Sequence, residues 1–189
     1  LDVYVAAGTY KGDTTNVNAF IIEEGVKVYG GFAGTETSPS ERNLKKNKTI
    51  LTGQGKQRVL FQSTNFTNKT KSVWDGFVIQ DGVSSSDNEK NGIGAYLKDY
   101  SALVNCEIKN NVALHSYSRG IGIYMENAVH STLENCLIHH NESGKNENGR
   151  YFGNVRGSAI FFNAGGQVVN STIVDNTTVD GNTVELLIY

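Results

Sequence analysis

The words "NCEIKNN" (Asn105 to Asn111) and "NCLIHHN" (Asn135 to Asn141) are nearly the same, and they stand thirty positions apart. Self-similarity at a period of about 20–50 residues marks a chain built from stacked units, each unable to bury its apolar face alone. Two further copies flank the pair: "GFVIQDG" (Gly76 to Gly82) and "NSTIVDN" (Asn170 to Asn176). Anchored on the central isoleucine, the copies fall at Ile79, Ile108, Ile138 and Ile173, in steps of 29, 30 and 35 residues. Three positions before the anchor stand Gly76, Asn105, Asn135 and Asn170, and three after it Gly82, Asn111, Asn141 and Asn176. Gly and Asn are the residues that most readily take left-handed backbone angles, so both columns read as turns.

Apolar columns run between the turns. Trp74, Leu103, Leu133 and Val168 lie five positions before the anchor, and Phe77, Cys106, Cys136 and Ser171 two before it. Alternation places two side chains of each short strand on one face. Stacking such strands about 4.8 Å apart satisfies every column at once. A third strand per unit is marked by "GIGAYL" (Gly92 to Leu97), "GIGIYM" (Gly120 to Met125) and "GSAIFF" (Gly157 to Phe162). No window keeps the apolar spacing of a helix, and the strands are rich in Ile, Val, Tyr and Phe. The expected fold is therefore all-β: a right-handed parallel β-helix, a solenoid with three short strands per coil and roughly six or seven coils. The first third joins it through "VYVAAGTY", "AFIIEEGVKVYGGF", "TILTG" and "RVLFQS", all read as strands between turn residues. Residues 1–189 form one domain on this reading.

The bulk numbers narrow the function classes. The 189 residues include 17 basic and 19 acidic side chains, interspersed, for a formal net charge of −2. No basic patch of the kind a nucleic acid requires is visible, and no apolar run approaches the length of a membrane-spanning helix. The glycine runs lack the contexts of phosphate or dinucleotide loops, and no cofactor or metal is expected. Cys106 and Cys136 share a column in successive coils, within reach of a disulfide. Phe77 and Ser171 share that column too, which makes it a packing row with stacked thiols. His139 and His140 are adjacent, so at most one faces out of its strand, as a surface histidine beside a turn.

"VYVAAGTYKG", "VKVYGGFAGTETSPSERN" and "TILTG" together resemble the opening of β-helix domains in secreted and surface proteins, notably of Bacteroidetes. The later Asn-Cys-x-Ile-x-x-Asn coils resemble the pectate-lyase-like β-helix superfamily and the polymorphic outer-membrane proteins. Between them these stretches cover nearly all of the chain. The resemblance implies a bacterial, exported protein, extracellular or on the outer-membrane surface, in which this domain is a segment. It does not imply an activity, because the fold hosts lyases, hydrolases, adhesins and stalks.

The candidate site follows from alternation in the third strand. If Ile93, Ala95 and Leu97 point inward, then Gly94, Tyr96 and Lys98 point outward, followed by Gly122, Tyr124 and Glu126, and by Ala159, Phe161 and Asn163. The result is an exposed aromatic ladder, Tyr96–Tyr124–Phe161, edged by small residues that leave its faces open. Aromatic rings suit the apolar sides of sugars, with Lys98, Glu126 and Asn163 placed to meet hydroxyls. In the lyases it resembles, this face and its bordering loops carry the substrate cleft. Stacked aromatics also stabilise a solenoid merely by touching each other. The longest loop, "ESGKNENGRYFGNVR" (Glu142 to Arg156), adds Arg150, Tyr151 and Arg156 as candidate ligand contacts, since solenoid insertions fall on one face, often the binding face.

No paired carboxylates of glycosidase geometry can be assigned. The polygalacturonase-like aspartates and the calcium-binding aspartates of pectate lyases are absent. The expected function is therefore a non-catalytic surface module, binding a polysaccharide or cell-surface glycan or displaying other domains. The alternatives are a lyase or hydrolase acting on uronic-acid polymers, and an adhesin or spike-like assembly module. The apolar run "VELLIY" (Val184 to Tyr189) has no polar cap behind it, so the end coil is expected to be covered by the rest of a longer chain or by another subunit.

Overall fold

The computed structural model describes residues 1–84, 86, 90–178 and the strand Leu186–Ile188; the remainder of the Val184 to Tyr189 run lies outside the described residues. The chain is all-β, and its sheets are parallel. One six-stranded sheet takes Asp2–Ala6, Lys27–Phe32, Ser72–Asp75, Ser101–Val104, Thr132–Glu134 and Gln167–Val169 in that order. A second takes Gly8–Lys11, Thr49–Thr52, Phe77–Gln80, Glu107–Lys109, Leu137–His139 and Thr172–Val174. A third takes Asn18–Ile21, Arg58–Phe61, Ala95–Leu97, Ile123–Glu126, Ile160–Asn163 and Leu186–Ile188. Strands close in sequence lie in different sheets and return to the same sheet further along, the arrangement expected of a solenoid or β-helix. Among the described residues no helix is long and apolar enough to cross a membrane.

Register fixes the core. Ile79, Ile108, Ile138 and Ile173 are direct neighbours across the second sheet. Trp74, Leu103, Leu133 and Val168 are neighbours across the first. The third sheet contributes Leu60, Ala95, Ile123 and Ile160, and the three columns meet in one continuous cluster. Ile79, Ile108 and Ile138 are sealed from solvent, and each such side chain stabilises the fold by about 1.5–3 kcal/mol through burial. Because like stacks on like, every coil presents its neighbour with the surface that the neighbour itself presents.

The two turn columns differ in kind. At the first, Gly76, Asn105, Asn135 and Asn170 all have positive φ, between 49° and 85°, as a left-handed corner demands. At the second, the left-handed residue comes one position earlier, at Asp81, Asn110, His140 and Asp175, with φ of 53–56°. Asn111, Asn141 and Asn176 are therefore not corner residues. They are fully buried and form a ladder along the axis. Asn111 Nδ2 donates to Asn141 Oδ1 at 2.8 Å, and Asn141 Nδ2 donates to Asn176 Oδ1 at 2.8 Å. The same oxygens accept the backbone N–H of the Asn one coil before, at 3.2 and 3.1 Å. Gly82 closes the stack, its N–H donating to Asn111 Oδ1 at 2.9 Å. The amide groups thus satisfy backbone that turns a corner without ladder partners.

This ladder changes the reading of the third strand. The strands begin at Ala95, Ile123 and Ile160 rather than at the preceding glycines. Gly94 and Gly122 were expected to face outward, yet a Cβ at Gly94 would lie 2.8 Å from Asn111 Nδ2 and one at Gly122 3.1 Å from Asn141 Nδ2. Both glycines face the buried amides, and only a residue without a side chain fits there. Ala159 likewise belongs to the core cluster and not to the outer face. Ile93 and Ile121 leave the main core for a smaller one with Ala113 and Val155. That second core lies beside a three-stranded parallel sheet, Val83–Ser84, Val112–Ala113 and Glu142–Ser143, which alternation in the repeat did not predict.

Candidate functional site

The aromatic ladder exists, in register, and is longer than expected. Phe61, Tyr96, Tyr124 and Phe161 are successive neighbours in the third sheet, with ring centroids 5.3, 5.0 and 5.5 Å apart. It is not an open face. Tyr124 and Phe161 are only 4 % and 2 % exposed, and Tyr96 is half-buried. Arginines lie across it: the Arg58 guanidinium sits 4.7 Å from the Phe61 centroid and 5.2 Å from that of Tyr96, and Arg119 sits 5.4 Å from Phe161. Each such contact is worth about 0.5–2 kcal/mol.

The polar neighbours serve the ladder as well. Burial pushes the Tyr96 phenol well above its ordinary range, and its hydrogen bond to Glu126 adds to the shift. Burial also raises Tyr124, against the hydrogen bonds of Asn163 and Arg119. Lys98 donates to the Ser63 carbonyl at 3.0 Å and lies 3.7 Å from the Glu126 carboxylate. Tyr96, Tyr124, Phe161, Lys98, Glu126 and Asn163 are thus brought together, but as a packed outer layer rather than a docking face.

Cys106 and Cys136 are buried free thiols. Their Sγ atoms point at the carbonyls of Trp74 and Leu103, both at 3.4 Å. Burial pushes the Cys136 thiol up to about 11 and Cys106 further still, with the neighbouring Cys136 adding to the latter. Thiolate chemistry is suppressed in both.

The open surface lies elsewhere, on the flank formed by the small fourth sheet and the long loop. Three adjoining hollows of about 410, 420 and 430 Å³ share walls along it. The first is walled by Asn110, His140 and Asp175 from the left-handed corner and by Val112, Glu142 and Thr177 beside them. The next adds Leu114, Lys145 and Tyr151, and the last runs along the loop past Glu147 and Phe152. The loop has its own structure: Lys145 and Tyr151 pair across a short antiparallel bridge, and Asn146 Oδ1 accepts from the N–H groups of Asn148 and Arg150 at 3.0 Å. Lys145 Nζ lies 4.6 Å from the Tyr151 ring centroid, and Tyr151 remains 45 % exposed.

Of the loop candidates, Tyr151 lines this groove and Arg150 sits exposed beside it in the loop turn. Arg156 belongs to another column, its backbone bridged to Arg119. The groove residues that alternation missed occupy fixed offsets in the repeat, one before and one after the buried asparagines. The period alone would have gathered them.

A hydrogen-bonded chain of side chains leads into the groove from the outer face of the second sheet. Glu107 Oε1 lies 2.6 Å from Lys109 Nζ and 3.2 Å from His139 Nε2, and His139 Nδ1 lies 2.6 Å from His140 Nδ1. Lys48 approaches the other Glu107 oxygen at 3.6 Å. Burial alone would raise the Glu107 carboxyl, but the hydrogen bonds from Lys109 and His139 outweigh it and hold it below its ordinary 4.5. A carboxylate depressed in the folded state stabilises the fold above its unfolded pKa, and that contribution is lost as pH falls through the folded one. Glu107→Gln should therefore lose less stability than the parent chain on acidification below about pH 4.5, seen as a smaller drop in denaturation midpoint.

On the opposite edge Asp99 accepts from the His130 backbone and ring, at 2.6 and 2.8 Å, and Tyr100 stacks on that ring at 4.6 Å. A separate hollow of about 220 Å³ lies between Tyr4, Phe32 and Glu36, whose carboxylate is taken up by the N–H groups of Ala33, Gly34 and Thr35. Among the described residues no group of three or more His, Cys, Asp or Glu side chains is placed to hold a metal ion. Comparison with known proteins found no matching family model, curated protein or solved structure.

Proposed function

We propose that the chain is part of an exported, cell-surface right-handed parallel β-helix, three strands to a coil and six coils deep, that holds a polysaccharide without cleaving it. The architecture is supported by three six-stranded parallel sheets visited in rotation, and the bacterial surface origin by the opening and coil motifs that resemble such domains. The observation that carries the binding reading is the flank groove. It runs past several coils, and in its middle hollow the exposed ring of Tyr151 and neighbouring Leu114 offer an apolar platform beside polar walls. Sugars present that same division of apolar faces and hydroxyl edges.

Four carboxylates outside the groove are committed to basic partners, whereas Glu142 and Asp175 line it, so product formation is the test that separates binding from turnover. Asp75 pairs with Arg42 at 2.6 Å, Asp99 with His130 at 2.8 Å, Glu107 with Lys109 at 2.6 Å and Glu126 with Lys98 at 3.7 Å. Glycoside hydrolysis instead wants two carboxyl groups facing each other across the bond. In affinity electrophoresis against a polysaccharide panel, the chain should be retarded by at least one polymer. Tyr151→Ala should weaken that retardation by about tenfold, the loss of one stacking contact. New reducing ends or unsaturated sugars accumulating with time would overturn the non-catalytic reading in favour of a hydrolase or lyase.

A further inference from the structure

The side chains along the groove differ in what they can offer a ligand. Glu142 and Asp175 are exposed carboxylates and can only accept hydrogen bonds. Asn110 and Thr177 offer both roles. The role of His140 follows from the chain behind it. The Glu107 carboxylate accepts, so His139 Nε2 carries the hydrogen that points at it, at 3.2 Å. A neutral His139 then has a bare Nδ1, and His140 Nδ1, at 2.6 Å, must be the donor between them. His140 Nε2 is left without a hydrogen, as one more acceptor on a residue that walls the groove.

Charge points the same way. Among the described residues lining the three hollows, the formally charged ones are Glu142, Glu147 and Asp175 against Lys145. A wall rich in acceptors and net negative suits a ligand that donates many hydrogen bonds and carries no negative charge. Neutral sugar hydroxyls donate. A uronic acid replaces donors with a carboxylate that meets like charge.

We infer that the flank groove takes a neutral, hydroxyl-rich glycan and discriminates against uronic-acid polymers, with His140 as one of its acceptors. The inference rests on the polysaccharide reading above and narrows it to a substrate class.

The test is titration calorimetry of the whole chain with three probes of equal length: a neutral β-glucan hexasaccharide, a neutral xylohexaose and a hexagalacturonate. At about pH 8 at least one neutral probe should bind about tenfold or more tighter than the galacturonate. The Glu142→Gln, Asp175→Asn double variant should narrow that gap. His140→Phe, which keeps a ring and removes the acceptor, should weaken neutral-probe binding several-fold. Galacturonate binding as well as or better than both neutral probes would overturn the inference while leaving a polysaccharide-binding module. Failure of all three to bind would remove the polysaccharide reading itself. Neutral-probe affinity unchanged in His140→Phe would remove the histidine from the groove's chemistry.

Discussion

Asn141→Ala should destabilise the fold by about 4 kcal/mol, the largest loss expected from any single amide. The side chain is fully buried in mid-ladder, with a partner on either side. Its Oδ1 accepts from both the backbone N–H and Nδ2 of Asn111, at 3.2 and 2.8 Å. Its Nδ2 donates to Asn176 Oδ1 at 2.8 Å and to the carbonyls of Ile108 and His139, both at 3.1 Å. Alanine leaves these groups in the dark, each at about 1–3 kcal/mol before relaxation. A cavity the size of a carboxamide will admit a water that recovers part of the loss, which is why the sum is not the expected value.

Asn141→Asp separates hydrogen bonding from shape. It keeps the accepting oxygen, loses the donor and buries a charge, so at neutral pH it should cost more than alanine. Its folded pKa must lie above the unfolded one, because burial disfavours the anion. Stability is then greatest below the unfolded value and falls as pH rises through the folded one. A denaturation midpoint for Asn141→Asp that improves on acidification, while the parent chain's does not, is the signature. An Asn141→Ala chain within about 1 kcal/mol of the parent would show that the ladder is decoration.

The same asparagines show how far a sequence of this kind can be read. The period, the parallel stacking and the isoleucine and leucine columns were legible because each coil repeats the same steric demand. Neighbours in register must match, so Ile108 predicts Ile138. The corner columns were only half legible. Asn105 is there for its φ of 51°, Asn111 for its amide, and one residue type serves both demands. The left-handed residue beside Asn141 is His140, a side chain that carries no backbone signature. Gly94 and Gly122 look like spacers on an outer face until the amides they touch are known.

The candidate site was less legible still, for a reason of reach. Alternation says that Tyr96 and Tyr124 leave the core, and they do. It cannot say that Arg58 and Arg119 fold back over the rings, because a long side chain covers surface well away from its own Cα. Nor can it place the loop of Lys145 to Phe152 beside the fourth sheet, since that contact depends on the loop's own turn at Gly149 and on the left-handed corner beneath it. Tyr151 was reachable from loop length, and Asn110, Glu142 and Asp175 from their fixed offsets beside the buried asparagines, but that the two sets share one groove needed the geometry.

Arg58 is where that covering layer can be lifted. The residue is 2 % exposed. Its guanidinium donates to the Asn91 carbonyl at 2.7 Å, to the Gly92 carbonyl at 3.1 Å and to Asn18 Oδ1 at 2.9 Å, while lying over Phe61 and Tyr96. It joins three successive coils through groups that only a planar, multiply donating cation can reach together. Arg58→Lys keeps the charge and loses the fork and the stacking, so it should still cost about 2–3 kcal/mol. Arg58→Ala should cost about 3–5 kcal/mol, adding the lost contact over both rings. The second consequence is local: with the guanidinium gone, Phe61 and Tyr96 gain solvent on one face, and Tyr96 becomes accessible to aqueous quenchers and to nitration where it was shielded before. Midpoints from urea unfolding give the first number and mass-mapped tyrosine nitration the second. Equal nitration of Tyr96 in the parent and in Arg58→Ala would mean that the arginine does not cover the ladder, and the outer aromatic column would return as a surface that a ligand can use.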